Sequence, residues 1–271
     1  PELVHQPADV LKDEFNGEAT ASKLARVREQ MEKEDAQYHI ISTLDDIAWI
    51  LNVRGNDIPH VPVVLSFLVI GKEDAMWFVE ENALSDAVKE MAAECGITIR
   101  PYEDVYAYAA TIPEHSTVLL DKRKVNYRIT NALSETVHIV SKANPSQLMK
   151  AIKNEIELEN TRKAHLLDGI AVTKFMYWLK KNVGKIPMDE VSVSDYLQSL
   201  REQMEGYRDI SFDTIAGYNA NAAMMHYKAE PDTAAKLEPQ GMLLVDSGGH
   251  YDTGTTDITR TFVLGPISDI Q

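Results

Sequence analysis

The sequence predicts an α/β protein, α+β over the whole chain, and three observations carry that reading. Short apolar runs punctuated by turn formers fill the first half, helical periodicity takes over after residue 143, and strand-and-turn texture returns from about residue 210. The short runs lie at 38–41, 47–53, 61–70, 75–79, 97–100, 117–120 and 137–140, bounded by Gly, Pro, Asn and Asp. Residues 81–95, between two of them, read as a helix, and this alternation is the mark of an α/β layer.

Taken in order, residues 1–18 lack periodicity and hold Pro, Gly and charge, as a linker or arm does. Ser22 can cap a helix that sets Leu24, Val27 and Met31 on one face. After the strand-rich stretch, Asn144 can cap and Pro145 can take the first position of a new helix. Residues 152–179 then read as long helix, with Leu167, Ile170, Ala171, Trp178 and Leu179 recurring on one face. Gly184 and Pro187 end it, and a helix over 192–204 follows, stopped by Gly206. The change of texture puts a domain boundary between 1–142 and 143–271.

A net charge of −15 argues against nucleic acid as a partner, which needs clustered Lys and Arg, and against an anionic membrane surface. The longest apolar stretch, 61–70, is about half of the ~20 residues a membrane helix needs. One cysteine, Cys95, excludes an intrachain disulfide and Cys-rich zinc motifs, which fits a reducing cytoplasm. The chain opens at Pro1 without an initiator Met, so an upstream portion is expected to have been removed.

The richest stretch runs from Gly241 to Val263. Residues 242–245 form an apolar run ending at Asp246, and 257–263 alternate polar and apolar from Asp257; Gly248, Gly249 and Gly254 lie between. A hairpin closed around Tyr251 and Asp252 sets Asp246 and Asp257 directly opposite on one face, about 5 Å apart at Cβ. Carboxylates that close repel unless one is protonated or a cation lies between them. Spacing alone leaves a solvated glycine-rich turn open beside the metal reading. Asp246-Ser247-Gly248 and Asp252-Thr253-Gly254 imitate aspartic-protease half-sites, but both lie on one hairpin and cannot face each other across a cleft. Asp246-Ser247-Gly248-Gly249 imitates a serine-protease nucleophile loop, against which the helical segment upstream argues. The ligand spacing of an EF-hand is absent.

Several blocks then fall together. Asn221-Ala-Ala-Met-Met-His226-Tyr227, Leu244-Val-Asp246-Ser-Gly and Gly254-Thr-Thr-Asp257-Ile-Thr-Arg260-Thr resemble the Xaa-Pro aminopeptidase (aminopeptidase P) family, in its three-domain cytosolic-type branch. Upstream, Thr43-Leu-Asp45-Asp-Ile-Ala-Trp49-Ile-Leu-Asn52-Val-Arg54-Gly55 resembles the middle, non-catalytic domain of that branch. The resemblance implies a creatinase N-terminal-like α/β domain over 1–142, followed by the first half of a pita-bread catalytic domain over 143–271.

It further implies that Asp246 binds one metal ion, that Asp257 bridges two, and that His226 contacts substrate. Arg260 then stands behind a ligand carboxylate, or else in a plain cross-strand ion pair. Trp49, Asn52 and Arg54 mark domain packing more than chemistry. The implied cofactor is a pair of divalent ions, usually manganese and in some members zinc or cobalt. The implied substrate is a proline-containing peptide, and homodimerisation of the intact protein is common in the family. The family's remaining ligands, a His and two Glu, come later in the chain, whereas after Arg260 the only carboxylate side chain here is Asp269 and there is no His. The chain is therefore expected to be an incomplete fragment, inactive alone, with its site empty. A non-catalytic peptide- or protein-binding module of the same fold is the alternative, against which the presence of both Asp and of His226 argues.

Overall fold

The computed structural model describes residues 5–270, and the chain divides into two compact units, Pro1–Ile156 and Glu157–Gln271. Unit 1 contains β1 (Asp9–Val10), α1 (Asp13–Asn16), α2 (Thr20–Lys33), β2 (Tyr38–Ile41), α3 (Leu44–Leu51), β3 (Val53–Arg54), β4 (Ser66–Gly71) and β5 (Ala75–Val79). It continues through α4 (Asp86–Glu94), β6 (Ile97–Arg100), α5 (Asp104–Ala109), β7 (Thr117–Leu120), α6 (Tyr127–Ala132), β8 (His138–Ser141) and α7 (Pro145–Ala151).

Six strands form one mixed sheet in the order β6-β5-β4-β2-β7-β8. β4 runs antiparallel to both neighbours, and the β5–β6, β2–β7 and β7–β8 pairs are parallel. Strand alternation sends Ile41, Leu68, Ile70, Trp77 and Val79 to one face, into a core with Leu24, Val27, Met31 and Ile50. Ile40, Phe67, Val69, Phe78, Val118 and Leu120 go to the other, against Val105, Ala109, Ile129 and Leu133. Helices on both faces explain why β4 is buried along its whole length and reads as an unbroken apolar run.

Four expectations need correction here. The apolar run at 47–53 is not a strand; most of it lies in α3, where Asp46 to Leu51 are all buried. A helix covered nearly all round carries no polar face, so the 3.6-residue period that would reveal it is lost. The supposed arm is structured in its described part: β1 pairs with β3, and buried Asn16 donates to the Leu11 carbonyl. Ser22 is not a cap; α2 starts at Thr20, and the Ser22 hydroxyl donates to Glu18.

The fourth correction concerns the boundary, which falls at 156/157 and not at 142/143. Asn144 precedes α7 and Pro145 opens it as expected, but the Asn144 amide donates to Asp46 (3.0 Å) and Thr43 (2.9 Å). Lys150 reaches Asp45 and Asp46 (2.7 Å to the latter). These bonds tie α7 to α3, so the helix belongs with unit 1. Burial opposes ionisation of Asp46, but Lys150, Thr43 and Asn144 together hold its carboxyl below the usual range. Asn52 closes α3 in the left-handed region (φ 53°), and its side-chain oxygen accepts from the buried Lys23 ammonium (2.6 Å). Trp49 and Asn52 are thus parts of the packing.

Unit 2 is dominated by α8 (Glu155–Asn182), which starts just ahead of the division, and α9 (Glu190–Arg201). β9 (Tyr207–Ile210), β10 (Ile215–Tyr218), β11 (Met242–Ser247), β12 (Gly249–Tyr251), β13 (Gly254–Thr255) and β14 (Ile258–Val263) follow. They make two small antiparallel sheets, β10-β11-β14 and β13-β12-β9. α9 begins at a capping box in which Asp189 accepts from the Ser192 N–H (2.8 Å) and Ser192 Oγ from the Asp189 N–H (2.9 Å). The buried stripe of α8 is Ala164, Asp168, Ala171, Phe175 and Leu179; Ile170, expected inside, is 40% exposed. Phe175 meets Phe262 edge-on at 5.7 Å, and Trp178 stacks on Tyr196 at 3.8 Å. No described helix is long and apolar enough to cross a membrane.

His39 on β2 is completely buried, with Nδ1 2.9 Å from the Leu119 carbonyl. Burial pushes its imidazole down to about 4, against the raising effects of the Leu119 carbonyl and Asp46. The unfolded chain therefore binds the proton first. Stability should fall as pH drops from about 6.5 towards 4, by up to about 1.4 kcal/mol per pH unit, with no further contribution below. Denaturant titrations of wild type and His39→Leu across this window should show the variant's profile flatter; parallel profiles would contradict the assignment.

Candidate metal centre

Alternation along β11 builds the site. Leu243, Val245 and Ser247 are buried towards the helices, while Met242, Leu244 and Asp246 occupy the opposite, half-covered face. Across the ladder Asp246 pairs with Thr259, Val245 with Arg260 and Ser247 with Ile258. The same register continues past Gly248 into His250↔Thr255 and Tyr251↔Gly254. The turn is therefore the two residues Asp252 and Thr253, one position later than expected.

This corrects the predicted geometry of the carboxylates. Asp246 and Asp257 are not directly opposite: the register sets Asp257 across from Gly248, two positions along from Thr259. They share a face as diagonal neighbours, roughly 7 Å apart in a regular ladder. A cation bound at about 2 Å from each carboxylate can span that separation. Gly248 is required where the strands break between the two sheets. A Cβ there would collide with the Thr256 carbonyl oxygen and with Ser211 Oγ, which itself donates to that carbonyl (2.9 Å).

One carboxylate oxygen of Asp246, Oδ1, is buried and has no hydrogen-bond partner. That is costly for an acceptor-only group and is relieved by a cation. Asp257 is exposed. Among the described residues no three His, Cys, Asp or Glu side chains converge as a complete ligand set. The donors present fit part of a divalent-ion site.

His226 follows a 3-10 turn, Asn219–Ala223, that leaves β10 and folds back so closely that a Cβ on Gly217 would meet Ala222 backbone at 2.8 Å. The turn lies over the Asp246 face, where Asn219, Ala220 and Ala222 line a cavity of about 420 Å³ with Met242, Leu244 and Thr261. His226 itself is exposed, with left-handed backbone (φ 56°). Arg260 is exposed and donates to the Thr259 carbonyl (2.8 Å). It pairs with neither Asp246 nor Asp257 among the described residues, and its register places it on the helix side with Val245. The expected support of a ligand by Arg260 is thus absent from the geometry.

Two groups escaped the sequence reading. Arg201, fully buried, donates from Nε to Asp168 Oδ1 (2.6 Å) and from Nη2 to Asp168 Oδ2 (3.2 Å) and Ser247 Oγ (3.1 Å). Tyr251 donates to the same Asp168 (2.9 Å), and burial, then Asp168, push its phenol far up. α8, α9 and the hairpin are thereby pinned beneath Asp246. Glu190, also buried, accepts bonds from the segment around His226. A charged residue within an apolar helical stripe, as Asp168 is between Ala164 and Ala171, was the available signal.

The creatinase/prolidase N-terminal domain matches residues 1–157, and metallopeptidase family M24 matches residues 159–271. The chain belongs to the proteins that carry the creatinase/prolidase N-terminal domain, and the segment after that domain matches metallopeptidase family M24. A probable Xaa-Pro aminopeptidase P of Neurospora crassa is 35% identical over 282 residues, covering 100% of this chain and 41% of that protein. Xaa-Pro aminopeptidase 1 of Dictyostelium discoideum is 37% identical over 269 residues, covering 98% and 42%. The crystal structure of an X-prolyl aminopeptidase from Caenorhabditis elegans, described as a cytosolic enzyme with a di-nuclear active site, superposes with a TM-score of 0.93 at 30% identity, covering 100% and 45%. The chain thus spans less than half the length of these relatives.

Replacing Arg201 by Ala leaves the buried Asp168 without its cationic partner and should destabilise the protein by roughly 3–5 kcal/mol. The joint replacement Asp168→Leu with Arg201→Met should cost clearly less than Arg201→Ala. Chemical denaturation of the three proteins provides the comparison.

Proposed function

We propose that this chain carries half of the metal site of an aminopeptidase that removes the residue preceding proline at a peptide N-terminus. The observation that supports it most is the buried, unpartnered Oδ1 of Asp246 on the face it shares with Asp257. Names and folds of the relatives point the same way. Asp246 and Asp257 would hold a divalent pair; when bound, such ions polarise a peptide carbonyl and lower the pKa of water towards neutrality. Manganese is the ion we favour, since carboxylate oxygens suit it, with zinc or cobalt as substitutes. His226 reaches out from its exposed loop to contact the bound peptide and steady charge developing at the carbonyl. Two carboxylates are too few for a dinuclear centre, so residues 1–271 alone should be inactive and retain metal weakly or not at all. A cytoplasmic location follows the description of the worm enzyme.

The test is hydrolysis of Xaa-Pro peptides by the full-length protein. Chelator should abolish it and manganese restore it, and undiminished activity in excess chelator overturns the proposal. Asp257→Ala should cost more than the about 10–100-fold loss typical of residues that only support a ligand. Metal analysis of residues 1–271 should show far less than one ion per chain.

A further inference from the structure

Glu190 is the first residue of α9 and is fully buried. Its carboxylate accepts from the Tyr218 N–H (2.7 Å), the Ala235 N–H (2.8 Å), the Tyr227 hydroxyl (2.7 Å) and the Asn221 amide (3.0 Å to Oε1, 3.2 Å to Oε2). Its own N–H donates to the Ala235 carbonyl (3.2 Å). No Lys or Arg pairs with it among the described residues. The four donor groups nearly exhaust what two carboxylate oxygens can accept, and the N-terminus of a 12-residue helix favours the charge.

These donors bracket His226. Tyr218 and Asn221 precede it, Tyr227 follows immediately, and Ala235 closes the segment. The segment has little core of its own: Met224 is 51% and Met225 92% exposed. His226 and Asn219 both stand in the left-handed region, at φ 56° and 48°. Such conformations cost non-glycine residues about 1–3 kcal/mol and persist only where the surroundings over-determine them. Asn219 is held directly by the Met242 N–H (3.0 Å), and Glu190 holds the residues on either side, Tyr218, Asn221 and Tyr227. Partial burial, and then Glu190 itself, push the Tyr227 phenol up to about 12, so it remains a donor across the working pH range. Apolar packing could not replace this carboxylate, because it would leave two backbone N–H groups unmatched.

We propose that Glu190 is a positioning residue: it fixes the loop that presents His226, and so acts on turnover through that imidazole. This rests on the substrate-contacting role given to His226 above.

The test uses the full-length protein with Glu190→Gln, Tyr227→Phe and His226→Ala, singly and with each of the first two combined with the third. Gln brings an N–H against donors, whereas Tyr227→Phe removes the hydroxyl's bond to Glu190 and the one it accepts from Asn221 (3.1 Å) and keeps the ring, so the test survives if Glu190→Gln fails to fold. Both should lower kcat, by roughly 10-fold for Tyr227→Phe and up to about 10²-fold for Glu190→Gln, the loss a misplacement of ~1 Å can bring. Metal content should be unchanged, and the losses should vanish in the His226→Ala background. If His226→Ala is damaging but these variants keep wild-type kcat, or their losses persist undiminished beside it, the positioning role is overturned. If His226→Ala itself leaves turnover intact, the role assigned to His226 falls, and this inference with it.

Discussion

A one-residue alternation governs the C-terminal unit: along β11, Val245 and Ser247 point to the helices and Asp246 points away. Because side chains in a strand repeat every two residues, a slip of one position would exchange the faces. It would bury Asp246 among Phe175 and Leu197 and expose Val245. The register is therefore held by apolar burial on one side, and the position of the carboxylates on the other follows. Gly248 lets the same ladder pass from one small sheet to the next without losing that register, since no other residue fits against the Thr256 carbonyl. The buried Asp168–Arg201 pair reaches Ser247, the last inward residue of β11, and braces the same element from below.

How much of this could be read beforehand varied with how local the cause was. β2, β5, β6 and β7 lie where their apolar runs are, because a buried strand bounded by turn formers declares itself over four or five residues. α3 did not, since burial on nearly every side removed its polar face. The hairpin was legible in its residues but not in its register. Its turn is set one residue later by contacts from outside the hairpin: Arg208 donates to Asp252 Oδ1 (2.6 Å), and the Asp252 N–H donates to the Gly206 carbonyl (2.8 Å). Gly206 was read only as a helix stop. Asp168, Arg201 and Glu190 drew no notice in the sequence because their partners lie more than 25 residues away.

Buried carboxylates elsewhere in this molecule show how Asp246 differs. Asp46 is met by Thr43, Asn144 and Lys150; Asp168 by Arg201 and Tyr251; Glu190 by four donors of a single segment. In each, the chain itself supplies the hydrogens that burial demands, as native interiors generally do. Asp246 breaks the pattern. It sits in a strand whose neighbours on the same face, Leu244 and Thr259, offer its Oδ1 nothing. Arg260, the nearest cationic side chain along β14, is turned to the other face by the register. Among these four acids only Asp246 has a buried oxygen that the described residues leave without a donor, beside a second carboxylate, and that contrast is what supports the cation site proposed above.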